Sequence, residues 1–257
     1  MSMTIWAIAD LHLSFGVEGK EMDVFGDKWK DHTTKLEKNW RQNIKDDDLV
    51  LIAGDISWAL HLKEAIVDLE WIDRLPGTKV MIKGNHDLWW KSTSKVRGIL
   101  PPSIHIIHND SFLWNDVAIA GSRLWESEDI CYGKHINFTE TPGVNVHKKE
   151  ETKEEKAHDE KIFKSEMNRL AWSIDAMSPE AKYRIVMVHY PPAGPTNRDS
   201  CVMRLLKNEE IDVCLFGHLH NLKDDAPVNF CTDRTRVICT AGDFIDFMPV
   251  KIELQSR

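Results

Sequence analysis

Residues 79–90, KVMIKGNHDLWW, decide how the rest of the chain is read. The apolar start, Val80, Met81 and Ile82, has the length and branching of a buried strand. Gly84 then supplies a permissive backbone for a tight turn, and Asn85, His86 and Asp87 follow at once. Three consecutive polar side chains are poor core material. They suit the edge of a sheet, where strand ends deliver side chains into a shared crevice.

Four other segments are built the same way. Residues 4–9 (TIWAIA) precede Asp10 and His12, and residues 49–53 (LVLIA) precede Gly54 and Asp55. Residues 184–188 (RIVMV) end at His189, and residues 212–216 (DVCLF) lead into Gly217, His218, Leu219 and His220. Between them lie helical patterns. Leu36, Trp40 and Ile44 mark one over 31–44; Leu62, Ile66, Leu69 and Ile72 mark another over 62–74, closed by Pro76 and Gly77.

Short strand-like runs fall between 104 and 121, an irregular loop over 125–143, and a short helix around 203–207. A charge-dense helix is expected over 146–177, amphipathic from 162 to 174, and closing strands over 237–240 and 250–254. Strands alternating with helices predict an α/β fold whose neighbouring strand ends lie side by side. No linker or repeat divides the chain, so residues 1–257 are expected to form one domain with a polar, charged insertion around 125–165.

A chain of 257 residues is long enough to bury a sizeable core without staples. Its 42% hydrophobic and 29% charged residues are ordinary for a soluble protein. Asp10 and His12 interrupt the opening apolar run, so neither a signal peptide nor a membrane span is expected. Five scattered cysteines without CxxC spacing read as reduced thiols, so a cytoplasmic location is expected. A net charge of −8 with no Lys/Arg stripe argues against general nucleic-acid binding. It leaves room for a small phosphate-bearing substrate, because bound metal ions reverse the local sign.

The polar side chains at the strand ends are Asp10, His12, Asp55, Asn85, His86, His189, His218 and His220. Carboxylate, amide oxygen and imidazole without thiolate favour hard or borderline divalent ions such as Mn²⁺, Fe²⁺ or Zn²⁺. So many ligands exceed one tetrahedral zinc and suit two ions sharing a bridge. Two such ions bring four positive charges, and Asp10 and Asp55 return only two. The surplus suits a phosphate oxygen and a hydroxide.

The ordered set D-x-H, GD, GNHD, a strand-end His and GHxH, spanning residues 10–220, resembles the calcineurin-like metallophosphoesterases. The phrases GDISWAL, GNHDLWW and HYPP resemble a bacterial group of phosphohydrolases with unassigned substrates. The resemblance implies a four-layer fold of two packed mixed β-sheets flanked by helices. It implies two metal ions, one on Asp10, His12 and His220, the other on Asn85, His189 and His218, with Asp55 bridging. It also implies that a metal-bound hydroxide attacks a phosphomonoester or phosphodiester while His86 assists the leaving group. Imidazole suits that task near neutrality.

Many phosphatases of the family carry an acidic residue three positions after the bridging Asp, which orients the catalytic His; here that position is Trp58. Arginine, found beside these motifs in the family's protein phosphatases, is missing from GDISW and GNHDL, which argues against a phosphoprotein substrate. Asp87, or another carboxylate, is left to orient His86.

Trp58, Trp89, Trp90 and Trp125 either line a substrate pocket or pack beneath the loops. Arg123 is either a substrate-phosphate ligand or a structural arginine. Asp243 and Asp246 suit supporting partners or turns, and the run 148–164 suits a solvated helix face or a lid. The competing functions are a nuclease-type phosphodiesterase and a non-catalytic metal-binding scaffold.

Overall fold

The apolar runs are buried on both faces, and that burial sets the architecture. The structure is a computed structural model and describes residues 3–127, 129–137, 152–232 and 234–255. Strands β1 (Ile5–Ile8), β2 (Leu49–Ile52), β3 (Thr78–Met81) and β4 (Ile104–Ile106) run parallel in one sheet. The second sheet has the order β5 (Phe112–Trp114), β6 (Val117–Ser122), β7 (Tyr183–Val188), β8 (Val213–Phe216), β10 (Arg236–Cys239), β9 (Phe230–Cys231). In it, β6, β7, β8 and β10 are parallel, and β5 and β9 are antiparallel edges. The last strand, β11 (Val250–Ile252), returns to pair antiparallel with β1.

Alternate residues of each strand enter different cores, as a pleat requires. Leu49 and Leu51 of β2, Val80 of β3, Ile185 and Met187 of β7, and Leu215 of β8 meet between the sheets. Val50 and Ile52 face the other way, toward Leu36 and Trp40 of α1 (His32–Asn43) and Leu69 and Ile72 of α2 (Leu62–Asp73). The short helix α3 (Thr93–Arg97) adds Val96 to that layer. On the far side, Val186 and Cys214 pack with Leu170 and Ile174 of α4 (Lys153–Asp175) and Val202 and Leu206 of α5 (Cys201–Asn208). The result is the four-layer α/β/β/α sandwich.

The main expectations for the elements hold, with shifted ends. The third strand begins at Thr78, not Val80, and carries the buried Lys79 inside it. Its ammonium donates to the Leu75 carbonyl and to Ser103 Oγ at 3.0 Å, so the charge is caged by acceptors. α4 begins at Lys153 behind a capping box of Thr152 and Glu155. The expected helical residues 146–151, and residues 138–143 of the expected loop, lie outside the described residues. The described part of that loop forms a single 3₁₀ turn, Gly133–His135.

Registry is what positions the site. Ile8, Ile52 and Met81 are paired across β1, β2 and β3, so residues equally far beyond them emerge at one level. The second sheet ends at the same edge: the His218 N–H donates to both Asp10 carboxylate oxygens, at 3.0 and 3.2 Å, tying β8 to β1.

Candidate metal centre

Five strand ends converge, three from one sheet and two from the other. Asp10 and His12 follow β1, Asp55 follows β2, Asn85 and His86 follow β3, His189 follows β7, and His218 and His220 follow β8. Asp10, His12, Asp55 and His218 all have positive φ, at 58°, 43°, 52° and 71°. Such conformations cost free energy in non-glycine residues and persist where the surroundings enforce them. Two glycines allow the crowding. A Cβ on Gly84 would land on Asp55 Oδ1, and one on Gly217 would land on Asp10 Oδ2, so neither position has room for a side chain.

The ligand-type atoms form two touching groups. Asp10, His12 and His220 offer atoms within 4.8 Å of one another, as do Asp10, Asp55 and His189. His12 Nε2 and His220 Nε2 are 3.2 Å apart. Asp10 is common to both groups, and Asp55 Oδ2 lies 3.7 Å from His12 Nε2 and 3.3 Å from His189 Nε2. Asn85 Oδ1 gathers the other side, 2.7 Å from His189 Nε2 and 3.0 Å from His218 Nδ1.

These contacts fit divalent cations. A backbone carbonyl only accepts, so His189 Nδ1 carries a proton toward Ala53 O at 2.9 Å and leaves Nε2 facing two oxygens. Likewise His220 Nδ1 donates to Asp243 Oδ1 at 2.9 Å, and its Nε2 then faces that of His12. Asp55 Oδ2 is buried and has no hydrogen-bond partner. An array of nitrogen and oxygen lone pairs aimed at one another is satisfied by shared cations.

In the bare protein the clustered groups shift in opposite directions. Burial holds His12 and His218 far below the ordinary imidazole value, in the neutral, ligating form. Burial also pushes Asp10 up to about 7. Burial works against charge on His189 too, but the Asp55 carboxylate outweighs it and raises the imidazole to about 9. Asp55 itself stays ionised: burial opposes its charge, and His189, His12 and His86 together win, holding it below the usual carboxylate range.

His86 stands beside this cluster. Its backbone N–H donates to Asp55 Oδ1 at 2.8 Å, and its ring lies 4.3 Å from the ring of Trp58. Trp58 also stacks on His12 at 5.0 Å. An aromatic face thus holds the imidazole where family phosphatases place an acid. Asp87 does not do so. It is fully buried and accepts from the N–H groups of Ile56, Ser57 and Gly84 and from Trp89 Nε1, which locks the two loops together.

Trp89 and Trp90 are buried in the core, whereas Trp58 and Trp125 are partly exposed. Trp125, Tyr190 and Phe163 line a groove of about 870 Å³ that runs up to His218. Arg123 is not among the converging residues; its side chain points to a neighbouring cavity and pairs with Glu166 at 3.4 Å. Asp246 is exposed, 3.8 Å from Lys35.

Of the two expected roles for Asp243, support or a turn, the first is found, and one further contributor, Trp29, was not expected. Asp243 supports His220, and Trp29 sits edge-on to both His12, at 5.5 Å, and His220, at 5.3 Å. Asp243 had a signal, a carboxylate just after a late strand. Trp29 had none, because its helical turn, Asp27–Trp29, is too short to show a period.

The Gene 66 proteins of Mycobacterium phages D29 and L5 are 32% and 38% identical to this chain over 83 and 82 residues, 32% of its length in each case. The chain spans only 40% and 39% of those relatives' lengths. Among solved structures, Phosphopantetheinyl Hydrolase (PptH) from Mycobacterium tuberculosis superposes with a TM-score of 0.52 at 13% identity, covering 97% of this chain and 95% of that one. That likeness concerns the fold. The family model for calcineurin-like phosphoesterases matches residues 3–222. The chain therefore belongs to the calcineurin-like phosphoesterases, a family of metal-dependent phosphohydrolases.

Proposed function

We propose that this protein hydrolyses a small phosphoester at a dinuclear metal centre. The observation that carries the reading is the buried Asp55 Oδ2, which has no hydrogen bond and lies 3.7 Å from His12 Nε2 and 3.3 Å from His189 Nε2. Asp10, His12 and His220 would hold one ion and Asn85, His189 and His218 the other, with the Asp55 carboxylate available to both. A donor set of nitrogen and oxygen without thiolate suits Mn²⁺, Fe²⁺ or Zn²⁺. When bound, such ions acidify water to a nucleophile near neutrality and neutralise phosphate oxygens.

The chain's own side chains do the rest. Ala53 O and Asp243 fix the tautomers of His189 and His220, so that each presents Nε2 to the centre. His86, half-buried against Trp58, presents an imidazole N–H toward the leaving oxygen. The groove beside His218 receives the organic part of the ester, with Trp125 and Tyr190 as its aromatic walls.

The net charge of −8 supports a small-molecule substrate over a nucleic-acid polymer. The five free thiols support a reducing, cytoplasmic setting. Among the described residues no helix is long and apolar enough to cross a membrane.

Chelator-stripped protein should regain hydrolysis of an aryl phosphomonoester or a bis-aryl phosphodiester when Mn²⁺ is restored. The ratio of the two rates assigns the ester class. No turnover with Mn²⁺, Fe²⁺ or Zn²⁺ would leave only a metal-binding scaffold.

A further inference from the structure

Beside the metal centre, at the same edge of the sandwich, a cavity of about 310 Å³ opens between the ends of β3, β4 and β6 and helix α4. Its walls carry Lys83, Lys91, Arg123 and Arg169 against a single carboxylate, Glu166. Four cations around one acid is an odd concentration in a protein with a net charge of −8. Like charges held together repel, and they persist where an anion offsets them.

The side chains are held as a binding wall would be. The Arg123 guanidinium lies 4.4 Å from the Trp125 ring, and its Nε–H is buried without an acceptor. Arg169 is braced by Asn109 Oδ1 at 3.2 Å and His108 Nε2 at 3.0 Å. Lys83 Nζ donates to the Trp90 carbonyl at 2.8 Å. Glu166 is shared, 3.4 Å from Arg123 and 3.6 Å from Arg169, so one carboxylate serves two guanidiniums.

Position relates the cavity to the reaction. Lys83 lies two residues before Asn85, and the Arg123 carbonyl accepts from the His189 and Tyr190 N–H groups at 3.1 Å each. The cavity therefore sits about one or two strands to the side of the ligand cluster, roughly 5–10 Å at ordinary strand spacing. That is too far for one phosphoryl group to reach both. It suits a second anionic group on the same molecule.

We propose that this cavity is a phosphate subsite, and that the substrates are phosphoesters bearing a second phosphate roughly 5–10 Å from the one attacked. The substrate assignment rests on the phosphoesterase reading above; phosphate binding in the cavity does not. Arginine forks suit phosphate bidentately, and Lys83 and Lys91 add point charges.

Two measurements test it. In the first, metal-free protein is titrated with inorganic phosphate by calorimetry. Wild type should bind saturably, Arg169→Met about 10–100-fold more weakly, the range for a charge-assisted hydrogen bond. Lys91→Met, at an exposed position that poses no threat to folding, should bind a few-fold more weakly. Equal binding by all three proteins would overturn the subsite.

In the second, Mn²⁺-loaded proteins are given alkanediyl bisphosphates of three to six carbons and the matching monophosphates. The readout is the preference in kcat/KM for bisphosphate over monophosphate. It should exceed about tenfold in wild type and collapse in Arg169→Met. A general loss of structure would lower both rates and leave the ratio intact, which would count against the proposal. Phosphate modulation of monophosphate turnover without bisphosphate preference would make the cavity an effector site and overturn the substrate assignment. If wild type hydrolyses no phosphoester at all, the phosphoesterase reading fails, and the titration alone still decides the cavity.

Discussion

The His220 ring is packed against Trp29 and oriented by Asp243, which accepts from Nδ1–H at 2.9 Å while its other oxygen accepts from the Asn221 N–H at 2.8 Å. Such carboxylate support orients a ligand and raises its basicity. Asp243→Ala is expected to weaken Mn²⁺ binding about 10–100-fold, read by titration of chelator-treated protein. Wild-type affinity in that variant would remove Asp243 from the centre. His86 is held differently, by the Trp58 face and by its own backbone bond to Asp55. His86→Ala should keep its metal content and lose about 10²–10⁴ in rate, the range for general acid–base assistance. Loss of metal would instead make His86 a ligand. Those two histidines differ in how plainly they read. GNHD and GHxH mark both, yet nothing local tells that one leans on a carboxylate far along the chain and the other on an indole.

Helix α2 works as a brace behind the loops. Its buried Asp68 accepts from the Phe15 N–H at 2.9 Å and from Ser57 Oγ, so one carboxylate ties the helix to the loops after β1 and β2. Burial raises that carboxyl to about 6, although both hydrogen bonds favour the ionised form. The unfolded chain releases the proton near 3.8, so between these values the folded state binds more protons and stability falls as pH rises. Wild type should therefore lose urea resistance relative to Asp68→Asn as pH rises from about 4 to about 6. A difference that stays flat across that window would mean the carboxyl is already ionised in the fold. At this scale the long elements were legible. Buried strands of four or more residues and helices of twelve carry enough apolar residues to show a period. Helix α3 and strand β9, of five and two residues, do not, and Lys79 disguised the start of β3.

The centre joins the two sheets, so metal binding and folding are linked across the whole molecule. Asp10, Asp55 and Asn85 come from one sheet, His189, His218 and His220 from the other, and the apolar layer beneath them, with Val80 and Leu215, is shared. Mn²⁺ at about 100 times its dissociation constant should add about 2.7 kcal/mol of stability. For a chain of this size that is a rise in Tm of roughly 5–10 °C, reversed by chelator. An unchanged melting curve would mean the cluster takes up no ion.

Strand runs ending in Asp, Asn and His were present in the residue order, and with them the α/β class, the ligand types and the kind of chemistry. Parallel pairing is in keeping with strands that are apolar and buried on both faces. Three features were settled only by the packing of remote segments: the approach of Asp55 Oδ2 to both His12 and His189, the contacts of Asp243 and Trp29 with His220, and the cationic cavity beside the centre. The physical reason is range. Propensity and period act over a few residues, whereas these contacts depend on how two sheets stack and on left-handed backbone turns at Asp10, His12, Asp55 and His218 that no local pattern demands.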